Sequence, residues 1–254
     1  MQPFKDNSVL KGKQISNQMK KHTTYLKLLI ILLLTGTLVS CGKDRMYIRG
    51  NGEIGAETRD VPYFEGVVQE GSFEVIITPD TVSEVVVEAE TNLIPFIETY
   101  VSGTALIVRE KPNTTLRPHD PMRVFIKTPE LKYAEVNGSG LLTTGYYVGN
   151  SLNLSISGSG RLESGGSFNQ VSGYISGSGS IYLTGNTNIA EFNISGSGSI
   201  DAYGMQTDSC YISIPGSGSA YVSVNDLLDV NISGSGSVYY KGTPAVFTTI
   251  TGSG

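Results

Sequence analysis

The triplet Gly-Ser-Gly recurs seven times, beginning at Gly138, Gly158, Gly177, Gly196, Gly216, Gly234 and Gly252, with successive offsets of 20, 19, 19, 20, 18 and 18 residues. A fixed period of this size marks units that cannot stand alone and stack on their neighbours as a solenoid. Gly/Ser-rich composition by itself would equally suit a flexible linker. The residues around each triplet exclude that. With Phe192 inward, alternation sends Ile194, Gly196, Gly198, Ile200 and Ala202 inward, and Asn193, Ser195, Ser197, Ser199 and Asp201 outward.

The same phase holds in the other copies, as in Leu152, Leu154, Ile156 and Leu162, or Cys210, Ile212, Ile214, Ala220 and Val222. Each copy therefore supplies one strand of about eleven residues with a single apolar face, and stacking at ~4.8 Å covers that face. The expected fold is all-β: a parallel β-helix of about seven rungs over 137–254, with a strand-rich part over 61–136 continuing the same stack. Two readings of the triplet stay open. Either both glycines point inward and are filled from across the rung, or the triplet is a bend with positive φ at glycine. The polar stretches 163–170, 184–191 and 203–209 read as loops that return the chain to the next rung.

Between Pro62 and Tyr133, short alternating runs separated by Pro, Gly, Asn and Asp read as strands at 64–68, 72–78, 84–89, 105–109 and 122–128. Residues 92–99 suit a short helical crossing, and 111–121, with three prolines, a loop.

The first forty residues have a different chemistry. From Met19, the lysines at 20, 21 and 27 precede an uninterrupted apolar run, Leu28 to Leu34, and Leu38-Val39-Ser40-Cys41 forms a lipobox. Residues 1–18 then read as an extension before the true start, 19–40 as a lipoprotein signal peptide, and 41–60 as a lipidated tether. The apolar run is too short for a bilayer, which takes roughly 20 residues. Cleavage between Ser40 and Cys41 would leave a cysteine carrying several acyl chains, enough for stable anchoring. Gly42 in place of an aspartate points to the outer membrane. The expected location is the cell envelope, with the membrane a partner through lipid.

With Cys41 committed, Cys210 has no disulfide partner and reads as a small buried apolar group. The net charge of −5 and dispersed basic residues exclude a nucleic-acid binder. His119 has no second histidine or cysteine at ligand spacing, so neither metal nor cofactor is expected.

The chain resembles a known family, the putative auto-transporter adhesins with a head GIN domain. The resemblance rests on FEGVVQEGSFEVIITPD from Phe64, TNLIPFIETYVSGTALIVRE from Thr91, FIKTPELKYAEVNGSG from Phe125, and then the repeated ISGSGS units. It implies a β-helical envelope domain, adhesive by architecture, with no catalytic residues to carry over. Pro215 departs from the family's Ile-Ser before the mark and should cost the ladder a hydrogen bond or cause a bulge.

Two outward columns are candidate contact surfaces. Ser159, Ser178, Ser197, Ser217 and Ser235 form a hydroxyl column, read as part of a flat face. The other runs Glu163, Tyr182, Asp201, Tyr221, Tyr239. Its phenols suit a glycan or surface protein, and its carboxylates, two rungs or ~10 Å apart, approach the spacing of inverting glycosidases. Neither carboxylate has a cation beside it in the strand pattern. The expected function is a non-catalytic binding, adhesion or structural module, the alternative a polysaccharide-active β-helix enzyme. The last mark ends in an open parallel edge, which invites self-association.

Overall fold

The protein is described by a computed structural model of residues 45–254, of which Met46–Gly254 forms one compact unit. Seventeen strands follow in chain order: β1 (Met46–Arg49), β2 (Ile54–Arg59), β3 (Gly66–Gly71), β4 (Glu74–Pro79), β5 (Glu84–Glu90), β6 (Ile97–Ser102), β7 (Ala105–Glu110), β8 (Thr114–Arg117), β9 (Arg123–Thr128), β10 (Tyr133–Gly138), β11 (Leu141–Gly158), β12 (Arg161–Ile175), β13 (Ser180–Ile194), β14 (Ser199–Ile214), β15 (Ser219–Ile232), β16 (Ser237–Lys241) and β17 (Ala245–Ile250). They wind into a β-solenoid of about 6 turns. The seven marks delimit six repeat rungs, five of them single strands from β11 to β15 and the sixth built from β16 and β17. The expected count of seven took each mark for a rung, whereas each mark is a boundary.

Long parallel registers keep like residues stacked. Leu162, Ile181, Ile200, Ala220 and Val238 form one inward column, and Val171, Ala190, Cys210, Leu228 and Val246 another. All are fully or nearly fully buried except Val238 and Val246 on the last rung. Each buried Ile or Leu contributes about 1.5–3 kcal/mol relative to exposure.

The polar stretches expected as loops are extended strand. In β12 the small residues Ser164 and Gly166 and the ring of Phe168 continue the inward alternation. Ser164 Oγ bonds Thr144 Oγ1 at 2.8 Å, which satisfies a hydroxyl pair inside the stack. Register shifts between Tyr182 and Thr184 and between Ala202 and Gln206 absorb the unequal repeat lengths.

The marks are bends, and the ladder runs through them. Ser178 N–H donates to Gly158 O at 2.8 Å, and Ser197 N–H to Gly177 O at 3.0 Å. Positive φ occurs at the first glycine of the first two marks only, Gly138 and Gly158. In the later marks glycine is required by close approach. The second glycine of each mark from Gly179 onward lies over the isoleucine of the preceding rung, so that a Cβ at Gly179 would stand 2.6 Å from Ile156 Cγ2, and one at Gly198 2.7 Å from Ile175 Cγ2. The missing side chains are thus filled from the neighbouring rung and not from across the same one.

At Pro215 the neighbouring bonds of the type Ser195 N–H to Ile175 O (2.9 Å) have no counterpart, and Gly216 N–H reaches Ile194 O at 3.3 Å instead. The expected loss is a lengthened substitute.

The N-terminal strands continue both walls of the stack. One wall extends β10-β3-β7-β6, the other β11-β4-β9-β5-β2, with β6, β5 and β2 antiparallel to their inner neighbours. Gly71-Ser72-Phe73 is an unrecognised earlier corner, since Gly71 stacks under Gly138 and Phe73 under Gly140. The reading of 41–60 as a tether is corrected over 46–59, where β1 pairs with β8 and β2 with β5. The loop at 111–121 likewise contains β8. Between β5 and β6 the crossing at 92–99 is a 3-10 turn, Ile94–Phe96, followed at once by strand. Glu90, its side chain fully buried, ties this end together: Oε1 accepts His119 Nδ1–H (2.9 Å) and Gly52 N–H (2.5 Å), and Oε2 accepts His119 N–H (2.8 Å). Residues 1–44, on which the expected signal peptide, Ser40 and Cys41 fall, lie outside the described residues.

The opposite end is open. Among the described residues β16 and β17 pair only with β15, and Val246, Phe247 and Ile250 are 41%, 60% and 50% exposed.

Candidate contact face

The outward strand segments just after the bends carry the expected mixed column. Glu163, Tyr182, Asp201, Tyr221 and Tyr239 are consecutive partners in the registers of β12 through β16. The Tyr221 and Tyr239 rings stack with centroids 5.0 Å apart and planes 9° from parallel. Tyr203 adds an edge-on contact to Tyr221 at 5.5 Å. Such pairs contribute about 0.5–1.5 kcal/mol beyond the area they bury.

Two cations belong to this face. Arg161 lies 4.7 Å over the Tyr182 ring and 3.4 Å from Glu163, and Lys241 Nζ lies 4.0 Å over Tyr203. The expectation that neither carboxylate has a cation beside it is therefore corrected for Glu163. Arg161 was visible in the sequence two residues before Glu163 and so on the same strand face. Tyr203, two residues after Asp201, shares that face by the same parity, but its contact with Tyr221 across the register shift after Ala202 is not visible in the sequence.

Tyr182 stands between Glu163 and Asp201, and Asp201 Oδ1 accepts the Tyr203 N–H at 3.1 Å. The two carboxylates are thus engaged separately.

The serines Ser159, Ser178, Ser197, Ser217 and Ser235 are all exposed and stacked, yet they sit at the bend of each rung. They form a ridge along the corner in place of the flat face expected. Each lies four residues before its counterpart in the tyrosine column, ~13 Å along the strand.

Cys210 is fully buried between Ala190 and Leu228, and burial pushes its thiol up to about 12. It is a packing residue.

With this geometry the family model described as "Putative auto-transporter adhesin, head GIN domain" matches residues 63–244. The chain belongs to that family. Several solved structures share the fold. A "putative adhesin" from Bacteroides fragilis superposes with a TM-score of 0.74 at 19% identity, covering 81% of this chain and 96% of its own. A "putative adhesin" from Parabacteroides merdae gives 0.68 at 22%, covering 82% and 97%. A "putative lipid binding protein" from Parabacteroides distasonis gives 0.65 at 25%, also covering 82% and 97%. The matched part makes up nearly the whole of each of these solved chains. No curated protein matches the chain.

Proposed function

We propose that the protein is a lipid-anchored, non-catalytic binding module of the cell envelope whose tyrosine face contacts glycan. The observation that carries this reading is the continuous outward stack of Tyr203, Tyr221 and Tyr239 flanked by Arg161 and Lys241. The rings lie against one another and Lys241 covers Tyr203, so the column turns ring edges and phenol hydroxyls outward, groups that pack against and hydrogen-bond sugars. A glycan array probed with residues 45–254 tests it. Tyr221→Ala with Tyr239→Ala should abolish the signal of any bound glycan, and unchanged binding would overturn the assignment of this face.

The anchor is Cys41, exposed by cleavage after Ser40, which sets the domain on the outer membrane. Palmitate labelling of the cell-expressed chain should be lost in Cys41→Ala. The rival reading, a polysaccharide-active enzyme, requires activity that falls in Glu163→Gln and Asp201→Asn, scored as new reducing ends on a panel of polysaccharides.

The open rung is covered by a second copy. The N-terminal walls end in the antiparallel strands β2 and β6, unlike the parallel β16/β17 edge, and a two-fold, tail-to-tail pairing of the like β16/β17 edges covers both copies at once. The edge also bears an apolar cleft of about 260 Å³ lined by Val230, Ile232, Val238, Val246 and Ile250. Sedimentation should show a dimer lost in Val246→Lys. A monomer at high concentration, with a fatty acid filling the cleft, would overturn it.

A further inference from the structure

The strand registers carry the tyrosine column beyond the repeats. Ahead of Glu163 its successive partners are Thr143 on β11, Ile76 on β4, Phe125 on β9 and Val86 on β5. From Val86 to Tyr239 a single outward line crosses nine strands, ~38 Å along the solenoid axis at ~4.8 Å per strand. The early part of this line is apolar where a solvated sheet face is ordinarily polar. Phe125 is 39% exposed, and Val86, Ile76 and the neighbouring Leu141 are outward and half-buried. Apolar residues scattered over a surface are normal, but a stripe of them running into an aromatic column has the pattern of a contact surface.

The charges along the line are matched within the protein. Arg123 lies between Glu74 at 2.9 Å and Glu88 at 3.3 Å, Lys127 pairs with Glu84 at 2.7 Å, and Arg161 with Glu163 at 3.4 Å. In the line and the row on either side of it, with Asp201 and Lys241 included, five carboxylates meet four cations. A charged ligand would find almost no free counter-charge here and would lose hydration without replacing it. An extended peptide has no purchase either. Peptides join a sheet through an open strand edge, whereas this line runs over the face, with the backbone engaged in the ladder.

From these observations we infer that the face takes an uncharged, linear polysaccharide laid along the solenoid axis, with Phe125, Ile76 and Val86 as the second half of the site. The inference rests on the reading of the tyrosine column as a glycan contact, and adds to it the class of glycan, its length and its direction. Strands repeat at ~4.8 Å, close to the advance of one ring in an extended β-linked chain, so successive sugars meet successive strands. The apolar half packs against the C–H faces of the rings. Thr143, Glu163, Asp201 and the phenol hydroxyls bond the ring hydroxyls.

The test is calorimetric titration of the protein with size ladders of cello-, xylo- and manno-oligosaccharides, and with oligogalacturonate as the charged counterpart. Affinity for at least one neutral series should rise with chain length until the oligomer spans the line, and oligogalacturonate of equal length should bind about tenfold more weakly or worse, about 1.4 kcal/mol. Phe125→Ala should weaken the longest oligomers by a similar factor and leave the shortest bound one unaffected. Val86→Thr, which keeps the branched shape, should act in the same direction and decides if Phe125→Ala does not fold. If Tyr221→Ala with Tyr239→Ala abolishes binding while Phe125→Ala and Val86→Thr change nothing, the longer site is overturned and the tyrosine face stands. Affinity that does not grow with length, or oligogalacturonate bound as tightly as the neutral chains, has the same meaning. Binding untouched by all of these substitutions overturns both readings. Failure of all three neutral series to bind overturns the inference, whatever glycan an array finds at the tyrosines.

Discussion

At Gly179 a Cβ would stand 2.5 Å from the Gly160 carbonyl oxygen and 2.6 Å from Ile156 Cγ2, one a backbone atom of the neighbouring rung and the other a buried methyl. Neither yields cheaply. Gly179→Ala should destabilise by about 1–3 kcal/mol, the range of overpacked cores, while Ser178→Ala, one residue away and exposed, should stay within about 0.5 kcal/mol. Urea unfolding of the two variants checks the contrast. Glu90 makes a second prediction at this scale. Its carboxyl is held below the ordinary carboxylate range, first by the His119 side-chain hydrogen bond, against the opposing effect of burial, and further by the backbone N–H groups of His119 and Gly52. A carboxylate depressed in the folded state adds stability that is fully present above its unfolded value of about 4.3 and is lost as pH falls through the folded value. Glu90→Gln should be less stable near neutrality and lose less on going to about pH 3 than the parent, measured by thermal unfolding. Cys210 should resist maleimide in the native state, because burial keeps it a neutral thiol out of reach.

Within a rung, proline and serine at the residue before the mark can be weighed against each other. Pro215→Ser returns the N–H that Ser195 and Ser176 use at 2.9 and 3.0 Å on their own neighbours. That gain of about 0.5–1.5 kcal/mol is offset by the roughly 0.4–1 kcal/mol with which proline restrains the unfolded chain. Stability should therefore move by less than about 1 kcal/mol, while residue 215 gains a protected amide in hydrogen exchange. The elements were largely legible. Alternation located β3, β4, β5, β7 and β9 to within about two residues, because each carries strong apolar residues on one face. It missed the middle of β12, 163–170, since Ser164, Gly165 and Gly166 have no apolar signal although two of them point inward. The corner at Gly71 was hidden because Phe73 occupies the second glycine's place, where the next rung offers Gly140 as the small partner. Of the contact face, the tyrosine column followed from parity, which also puts Tyr203 and Lys241 on the outward side, while the approach of Lys241 to the Tyr203 ring is not encoded by parity.

Taken as one body, Met46–Gly254 has unlike ends, one closed by antiparallel strands and the buried Glu90, the other presenting a half-covered rung. In a stacked array stability follows neighbour contacts, so opening should start at the exposed end. Hydrogen exchange should find β17 amides fastest, β12 to β14 slowest, and β5 and β9 protected nearly as well as the middle. Equal protection of β17 and β13 would contradict this. The glycine corner has a bearing on fidelity. Rungs so alike in sequence offer many wrong pairings, and slipping a strand by one residue turns its apolar side to water. At each corner such a slip would also press a serine Cβ against a carbonyl oxygen where only hydrogen fits. The glycine column therefore works as a row of detents, rejecting misaligned rungs as the stack assembles.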